Sequence, residues 1–250
     1  MSFRMKILAL PIAWAFITGM ARANEVQVAV AANFILPLKA IATRFERATG
    51  HHVTLVPGAT GKLYAQINNG APFDILLAAD SETPARLERE GMAEPGSRFT
   101  YATGRLVLWS SRPDLVDAKG DVLRGNGFDH LALANPRLAP YGMAAQETMQ
   151  ALGVRERLQA RLVQAENIAQ AYQFVASGNA ALGFVAYSQI HQGGKAIPGS
   201  HWLVPTRLHS PLRQDAVLLN RGRGNRAAEA LLKYLKENQT TGIIRSFGYE

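Results

Sequence analysis

Four short turns that each run directly into an amphipathic helical pattern place the strongest constraint on how this chain folds. The four segments are AANFILPL, GATGKLYAQI, APYGMAAQ and AENIAQAYQF. A helix N-terminus presents unpaired N–H groups and a partial positive charge. Several such termini that converge on one point can therefore bind an anion without any charged side chain.

Short apolar runs alternate with these helical patterns along the chain. In the first part, strands are predicted over 26–32, 53–56 and 75–79 and helices over 34–49, 62–69 and 81–90. The second part repeats the scheme, with strands at 105–110, 131–134, 183–186 and 216–219 and helices at 142–152, 169–177 and 227–236. This β-α-β-α order is typical of α/β folds with parallel, doubly wound sheets.

Two α/β units without a flexible linker predict two lobes joined by crossing segments. We expect the crossings near residues 101–105 and 212–217. Lobe 1 then comprises residues 24–102 and 217–250, including the C-terminal helix, and lobe 2 comprises 103–216. Ligands in such folds bind at the carboxyl ends of strands. A ligand cleft between the lobes, faced by all four turns, is therefore predicted.

Residues 1–23 have the features of a cleaved secretory signal peptide. Arg4 and Lys6 precede an apolar stretch, and Ala21-Arg22-Ala23 offers an A-x-A cleavage site. The alternative is a membrane anchor, but a core of about 14 residues is short against the roughly 20 needed to span a bilayer. We expect an exported protein of a Gram-negative periplasm, with no membrane insertion after cleavage.

Composition excludes several classes of function. The chain has no cysteine, which excludes thiol catalysis, disulfides, Cys-ligated metals and a lipid anchor on Cys. Its formal charge of +8 falls to +5 when Arg4, Lys6 and Arg22 leave with the signal. The remaining basic residues are scattered, so nucleic-acid binding is not expected. A general attraction for small anions is the more modest interpretation.

Polar residues in the first two turns are candidate ligand donors. Asn33 lies between a strand and a helix, where it either caps the helix or turns its amide toward a ligand. Thr60 carries a hydroxyl beside Gly58 and Gly61, whose lack of a Cβ allows close backbone approach. An ordinary strand-to-helix turn explains Thr60 equally well. The segment GATGK is not a Walker A motif, because it lacks the spacing and the final Ser or Thr.

The other two turns offer one aromatic and one aliphatic candidate. Tyr141, in PYG, can donate from its phenol or its backbone N–H, or can simply pack on the surface. Ile168, in ENI, can contribute only its backbone N–H, and an isoleucine at a helix start is ordinarily a core residue.

The sequence contains no recognisable catalytic or metal-binding motif. None of the six histidines falls in an H-E-x-x-H or i, i+4 pair, and there is no G-x-S-x-G elbow. We therefore expect a protein that is not an enzyme and that carries no cofactor and no directly bound metal cation.

Long blocks of the chain closely resemble the periplasmic molybdate-binding proteins of ABC importers. The blocks are VAVAANFILPLKAIATRFERATG, GATGKLYAQINNGAPFDILLAAD, LALANPRLAPYGMAAQETMQALG and ENIAQAYQFVASGNAALGFVAYSQ. The resemblance extends from Val26 to the terminal SFGYE. It implies a two-lobed type II periplasmic binding protein that closes on one tetrahedral oxyanion, molybdate or tungstate.

By the same resemblance, the oxyanion is held only by neutral donors at helix starts. Carried over by position, these are Asn33, Thr60, Tyr141 and Ile168, with the backbone N–H of Gly61 as a weaker candidate. The expected partners are an ABC permease and its ATPase, which hydrolyses the ATP, and the expected oligomeric state is a monomer. Three rival functions remain open, namely a receptor for sulfate or another oxyanion, an exported α/β enzyme, and a sensory lobe.

One segment departs from the family pattern. Many members place a ligand-binding tyrosine in GIVY, whereas this chain has GFVA, which aligns Ala186 with that tyrosine and puts Tyr187 one residue later. On a strand, a shift by one residue turns the side chain to the opposite face. We therefore expect Tyr141, and not Tyr187, to supply the phenol.

Overall fold

The computed structural model describes residues 24–250, so the predicted signal peptide lies outside the described residues. The first lobe begins with three strand–helix units. Their strands and helices are β1 Glu25–Ala31, α1 Ile35–Thr49, β2 His52–Gly58, α2 Thr60–Asn68, β3 Ile75–Leu77 and α3 Glu82–Arg89. Strand β1 pairs in parallel with β2 and with β3, as the alternating pattern predicts.

The chain then crosses to the second lobe and returns. Strand β4 Phe99–Gly104 still belongs to the first lobe and leads into the crossing. The elements of the second lobe are β5 Leu106–Ser110, β6 Leu131–Ala134, α4 Pro140–Ala151, α5 Arg155–Leu158, β7 Leu162–Ala165, α6 Ile168–Ala176, β8 Leu182–Ala186, α7 Tyr187–Ile190, β9 His191–Gln192, β10 Lys195–Ala196 and β11 Ser200–Leu203. Strand β12 Leu212–Leu218 and helices α8 Arg226–Leu235 and α9 Asn238–Ser246 complete the chain.

Two five-stranded mixed sheets form the framework. The first has the order β2-β1-β3-β12-β4 and the second has the order β11-β5-β8-β6-β7. In each sheet four strands run in one direction and one runs in the opposite direction, β12 in the first sheet and β5 in the second. The expected two-lobed α/β architecture is confirmed, and the antiparallel strands are those nearest the crossings.

The crossing strands both belong to the first sheet. Strand β12 pairs antiparallel with β4 from Leu212 opposite Gly104 onward. The chain therefore leaves the first lobe after Gly104 and returns to it at Leu212, the first residue of the predicted crossing 212–217 and five residues before the predicted lobe boundary at 217. The sequence obscured this return because β12 begins with Arg213, Gln214 and Asp215, which resemble a polar loop. Gln214 and Asp215 are nevertheless buried, since their side chains are hydrogen-bonded.

Alternating side chains of β1 face the two sides of the first sheet. Val28 and Val30 pack into the cluster formed with α1, α8 and α9, whereas Ala29 packs into the cluster under α2 and α3. Burial on both faces is what keeps a doubly wound sheet apolar along its whole strand. As predicted, the C-terminal helices pack on the first lobe. No helix within residues 24–250 is long and apolar enough to cross a membrane.

The two lobes are in contact, so the structure is a closed form. Four alanines of the first lobe, Ala31, Ala32, Ala59 and Ala79, belong to the same buried cluster as the core of the second lobe. Lys62 forms an ion pair with Glu166 across the cleft mouth. The carboxyl ends of the strands of both lobes therefore face one enclosed space.

Candidate anion-binding site

A small cavity lies where the helix starts of the two lobes meet. Asn33, Thr60, Tyr141 and Ile168 all line it. The remaining lining consists of small or uncharged residues, Ala31, Ala32, Gly58, Ala59, Ala79, Ala139, Pro140 and Asn167. Its volume is about 10 Å³, which corresponds to about one water position. No Lys, Arg, Asp or Glu of the described chain lines this cavity.

Thr60 supplies a hydroxyl with a free proton. Thr60 is the first residue of α2 and is almost fully buried. Its Oγ1 accepts a hydrogen bond of 3.0 Å from the N–H of Ala79. A hydroxyl has one proton to donate besides its acceptor lone pairs. Because the Ala79 contact uses only a lone pair, the proton of Thr60 remains available to an acceptor in the cavity.

Ile168 supplies a backbone N–H that its own helix cap leaves unused. The side chain of Asn167 caps α6 by accepting from the N–H groups of Ala169 and Gln170, at 2.9 and 3.1 Å. This cap satisfies the second and third N–H groups of the helix and omits the first, that of Ile168. Within residues 24–250 that N–H has no acceptor. The carbonyl of Ile168 accepts from Gln189 Nε2 at 3.1 Å, which fixes this turn.

Tyr141 offers a backbone N–H at the start of a helix, and its phenol contacts Gln214. Helix α4 begins at Pro140, which has no N–H, so the first donor at this helix start is that of Tyr141. The phenol oxygen instead accepts from Gln214 Nε2 at 3.2 Å. It lies beside Gly104, where a Cβ would be only 2.0 Å from that oxygen. The phenol accepts this bond and keeps its own proton, so the prediction that Tyr141 supplies its phenol to the ligand stays a prediction.

Asn33 is likewise oriented away from the ligand position. It lies in a 3-10 turn, Ala32–Phe34, and its side chain does not cap that turn. Asn33 Nδ2 donates to Gln214 Oε1 at 2.8 Å and to the hydroxyl of Tyr249 at 3.0 Å. Neither alternative for its side chain, a cap or a ligand donor, matches this arrangement. The backbone N–H of Asn33 is the donor that remains at the cavity.

Gly61, the weaker candidate, joins the lobes instead of facing the cavity. Its N–H donates to the carbonyl of Leu138 at 2.8 Å. A Cβ on Gly61 would lie 3.2 Å from the backbone of Leu138, so a glycine permits this close approach. The structure therefore does not support Gly61 as an anion donor in the closed form.

Tyr187 does not line the cavity, as expected. Its ring stacks on His191 with a centroid separation of 5.1 Å, and the guanidinium of Arg105 lies 5.0 Å from its centroid. The reason differs from the predicted strand alternation. Strand β8 ends at Ala186, and Tyr187 is the first residue of the short helix α7.

Burial keeps the phenols near the cavity protonated. Desolvation raises the pKa of Tyr249 to about 12 and raises the pKa of Tyr141 well above its ordinary value. Both phenols are therefore neutral at neutral pH. Residues 24–250 also contain no cluster of three or more His, Asp or Glu side chains that could hold a metal ion.

Comparison with known proteins identifies the family. Residues 26–250 match the family described as bacterial extracellular solute-binding protein. This chain belongs to that family. The chain is 52% identical over 249 residues to the molybdate-binding protein ModA of Azotobacter vinelandii, covering 100% of this chain and 99% of the relative. It is also 52% identical over 229 residues to that of Rhodobacter capsulatus, covering 92% and 89%.

Solved structures of solute-binding proteins support the same fold. The periplasmic molybdate-binding protein of Azotobacter vinelandii superposes with a TM-score of 0.88 at 44% identity, covering 90% of this chain and 98% of that one. The sulfate-binding protein SubI of Mycobacterium tuberculosis superposes with a TM-score of 0.73 at 13% identity, covering 90% and 86%. The second likeness concerns the fold alone.

The site residues that the sequence did not reveal are Gln214, Tyr249 and Ser188. All three contact Asn33 or Tyr141 and are remote from them in the chain. Gln214 stands in a polar run, and Tyr249 lies in the terminal SFGYE. Neither sits in a turn-to-helix motif, so no local pattern marked them.

Proposed function

We propose that this solute-binding protein is a periplasmic receptor that binds molybdate, and also tungstate, and delivers the anion to an ABC importer. The observation that carries the proposal is the closed, uncharged cavity lined by N–H and O–H donors from both lobes. The names of the two relatives that are 52% identical support molybdate as the ligand. Hydrolysis of ATP belongs to the importer's ATPase, and this chain acts as a monomeric carrier without catalytic activity or cofactor.

The donor set suits a small dianion that carries no proton. An anion loses its hydration shell on entering the cavity, and that loss is costly unless hydrogen bonds replace the shell. The N–H groups of Asn33, Tyr141 and Ile168 and the hydroxyl of Thr60 supply such bonds. Each donor stands at the start of a helical segment, where the positive end of the helix dipole favours negative charge.

The same lining disfavours a protonated oxyanion such as hydrogen phosphate. A bound O–H group requires an acceptor, and an unpaired buried donor costs about 1–3 kcal/mol. No carboxylate of the described residues lines the cavity, and the carbonyl of Asn33 already accepts from Ser188 and lies 2.9 Å from the hydroxyl of Tyr249. We therefore expect discrimination against phosphate by hydrogen bonding. Discrimination between molybdate and sulfate, which are both unprotonated, is expected to follow from anion size.

A thermal-shift series on the mature protein tests the proposal. The protein is heated alone and with molybdate, tungstate, sulfate or phosphate, each followed by calorimetric titration. At a ligand concentration of 100 Kd, binding adds about 2.7 kcal/mol to the free energy of unfolding. For a protein of this size that corresponds to a rise in Tm of about 5–10 °C.

Molybdate and tungstate should give this rise, and phosphate should give none. An equal response to sulfate would replace molybdate by sulfate as the ligand. The absence of any response to all four anions would contradict an oxyanion receptor.

A further inference from the structure

A buried set of uncharged polar side chains lies directly behind the anion cavity. We name it the junction network and define it as Asn33, Tyr141, Ser188, Gln214 and Tyr249. All five residues are buried, and none carries a charge at neutral pH. Asn33, Gln214 and Tyr249 belong to the first lobe, and Tyr141 and Ser188 belong to the second.

Gln214 joins a ligand-binding turn of one lobe to a ligand-binding turn of the other. It lies on strand β12, close to the crossing, and its side chain is fully buried. Its Oε1 accepts from Asn33 Nδ2 at 2.8 Å, and its Nε2 donates to the phenol of Tyr141 at 3.2 Å. One amide therefore connects two of the residues whose backbone N–H groups face the cavity.

Tyr249 makes a second connection of the same kind. Its hydroxyl accepts from Asn33 Nδ2 at 3.0 Å and lies 2.9 Å from the carbonyl oxygen of Asn33 and 3.0 Å from Ser188 Oγ. Ser188 Oγ in turn donates to the carbonyl of Asn33 at 3.0 Å. The hydroxyl of Tyr249 thus stands between the Asn33 turn and the second lobe.

Backbone and ring contacts hold the C-terminal end of the chain beside the junction network. Glu250 exchanges two backbone hydrogen bonds with Thr103 of the crossing strand β4, at 2.8 and 3.0 Å. The ring of Tyr249 packs edge-on against Phe34, with a centroid separation of 5.4 Å. These contacts hold the C-terminal residues against β4 and place the phenol of Tyr249 at the lobe junction.

We propose that Gln214 and Tyr249 are positioning residues of the anion site, which couple lobe closure to the orientation of the N–H groups of Asn33 and Tyr141. This inference rests on the proposed function. When the lobes separate, the bonds from Gln214 and Tyr249 to Asn33 stay within the first lobe. Their bonds to Tyr141 and Ser188 span the two lobes and form only on closure.

Bonds that exist only in the closed form raise the population of that form. The apparent Kd equals the intrinsic Kd divided by the fraction of protein that is competent to bind. Loss of a bond between the lobes therefore weakens anion binding without any direct contact between the lost group and the anion. If Gln214 and Tyr249 only stabilised the first lobe, the loss of their bonds would not change the affinity for the anion.

The test compares two Tyr→Phe variants in the same buried region. Tyr249→Phe keeps the ring on Phe34 and removes the hydroxyl that contacts Ser188 of the other lobe. Tyr101→Phe is the matched control, because the hydroxyl of Tyr101 donates to Ala78 O at 2.8 Å and lies 3.0 Å from Gln214 Oε1, and both contacts are within the first lobe. Molybdate Kd, the dissociation rate and the Tm without anion are measured for the wild type and both variants.

We expect Tyr249→Phe to raise the Kd about tenfold, the size of one buried hydrogen bond, chiefly through faster dissociation. The Kd of Tyr101→Phe should stay within about threefold of the wild type, although its Tm falls. Equal Kd values for Tyr249→Phe and the wild type, or equal losses in both variants, would overturn the proposal. If the wild type itself does not bind molybdate, the proposed function is the statement that fails.

Two further variants keep the test decisive. If Tyr249→Phe does not fold, Ser188→Ala removes the partner hydroxyl on the other lobe and is judged by the same criteria. Gln214→Met has similar length and lacks the amide, so it removes the bridge between Asn33 and Tyr141. It should raise the Kd at least as much as Tyr249→Phe, and an unchanged Kd would exclude Gln214 from the coupling.

Discussion

The hydroxyl of Thr60 is a buried side-chain donor at the cavity whose proton has no partner among the described residues, so its removal is a sharp test of the site. Thr60→Val keeps the shape of the side chain and replaces the hydroxyl by a methyl group. A hydrogen bond to a charged group contributes about 1.5–3 kcal/mol. At 1.4 kcal/mol for each factor of ten, the Kd for molybdate should rise by about 10- to 100-fold.

The substitution also affects the protein without ligand. Ala79 is buried, and its N–H loses the acceptor that lies 3.0 Å away in the native site. We expect a loss of about 1 kcal/mol in the free energy of unfolding, measured by urea denaturation. This loss is smaller than the loss in binding, because the binding term involves a doubly charged partner.

Calorimetric titration of wild type, Thr60→Val and Thr60→Ser provides the assay. Thr60→Ser retains the hydroxyl and should bind within about threefold of the wild type. Binding by Thr60→Val within about twofold of the wild type would refute the assignment of Thr60 as a donor. Equal weakening in both variants would assign the effect to the lost methyl group and not to the hydroxyl.

Three other perturbations have defined outcomes. Gly104→Ala places a Cβ 2.0 Å from the phenol of Tyr141, so calorimetry should find anion affinity at least tenfold weaker; unchanged affinity would mean that the phenol can move freely. Lys62→Ala removes the ion pair with Glu166 at the cleft mouth and should raise the Kd about two- to threefold at low salt, with the difference vanishing at high salt. Because burial raises the pKa of Tyr249 from 10.0 to about 12, its contribution to stability is complete below pH 10 and is lost as the pH rises through 12; urea denaturation at a series of pH values should show this decline, and a flat profile would contradict it.

Local pattern was sufficient to predict which turns come together at one cavity. Asn33, Thr60, Tyr141 and Ile168 each follow a strand and begin a helical segment, and the carboxyl ends of parallel strands meet at the same edge of a sheet. All four residues line one cavity. Where a donor belongs to the backbone, as for Ile168, the position of the helix start alone identifies it.

Local pattern did not predict which atoms of these residues face the ligand. Asn33 is separated from Gln214 by 181 residues and from Tyr249 by 216 residues. These partners accept the hydrogen bonds of its amide, and no sequence motif near Asn33 predicts them. The phenol of Tyr141 is also positioned by residues that are remote in the sequence, Gly104 in β4 and Gln214 in β12. Contacts between residues so far apart in the sequence depend on where the chain crosses between the lobes, and sequence patterns located those crossings only approximately.

Asn33 and Tyr141 each have two functions, one carried by the backbone and one carried by the side chain. The backbone N–H of each faces the cavity, while the side chain of each joins the junction network. A displacement of the side chain therefore moves the donor, and a bound anion that holds the donor also holds the side chain in its network position. Because every member is uncharged, the network adds no charge that would compete with the anion. Ligand binding and lobe closure thus stabilise each other through the same two residues, which is the property that a receptor needs if its closed form is to signal occupancy.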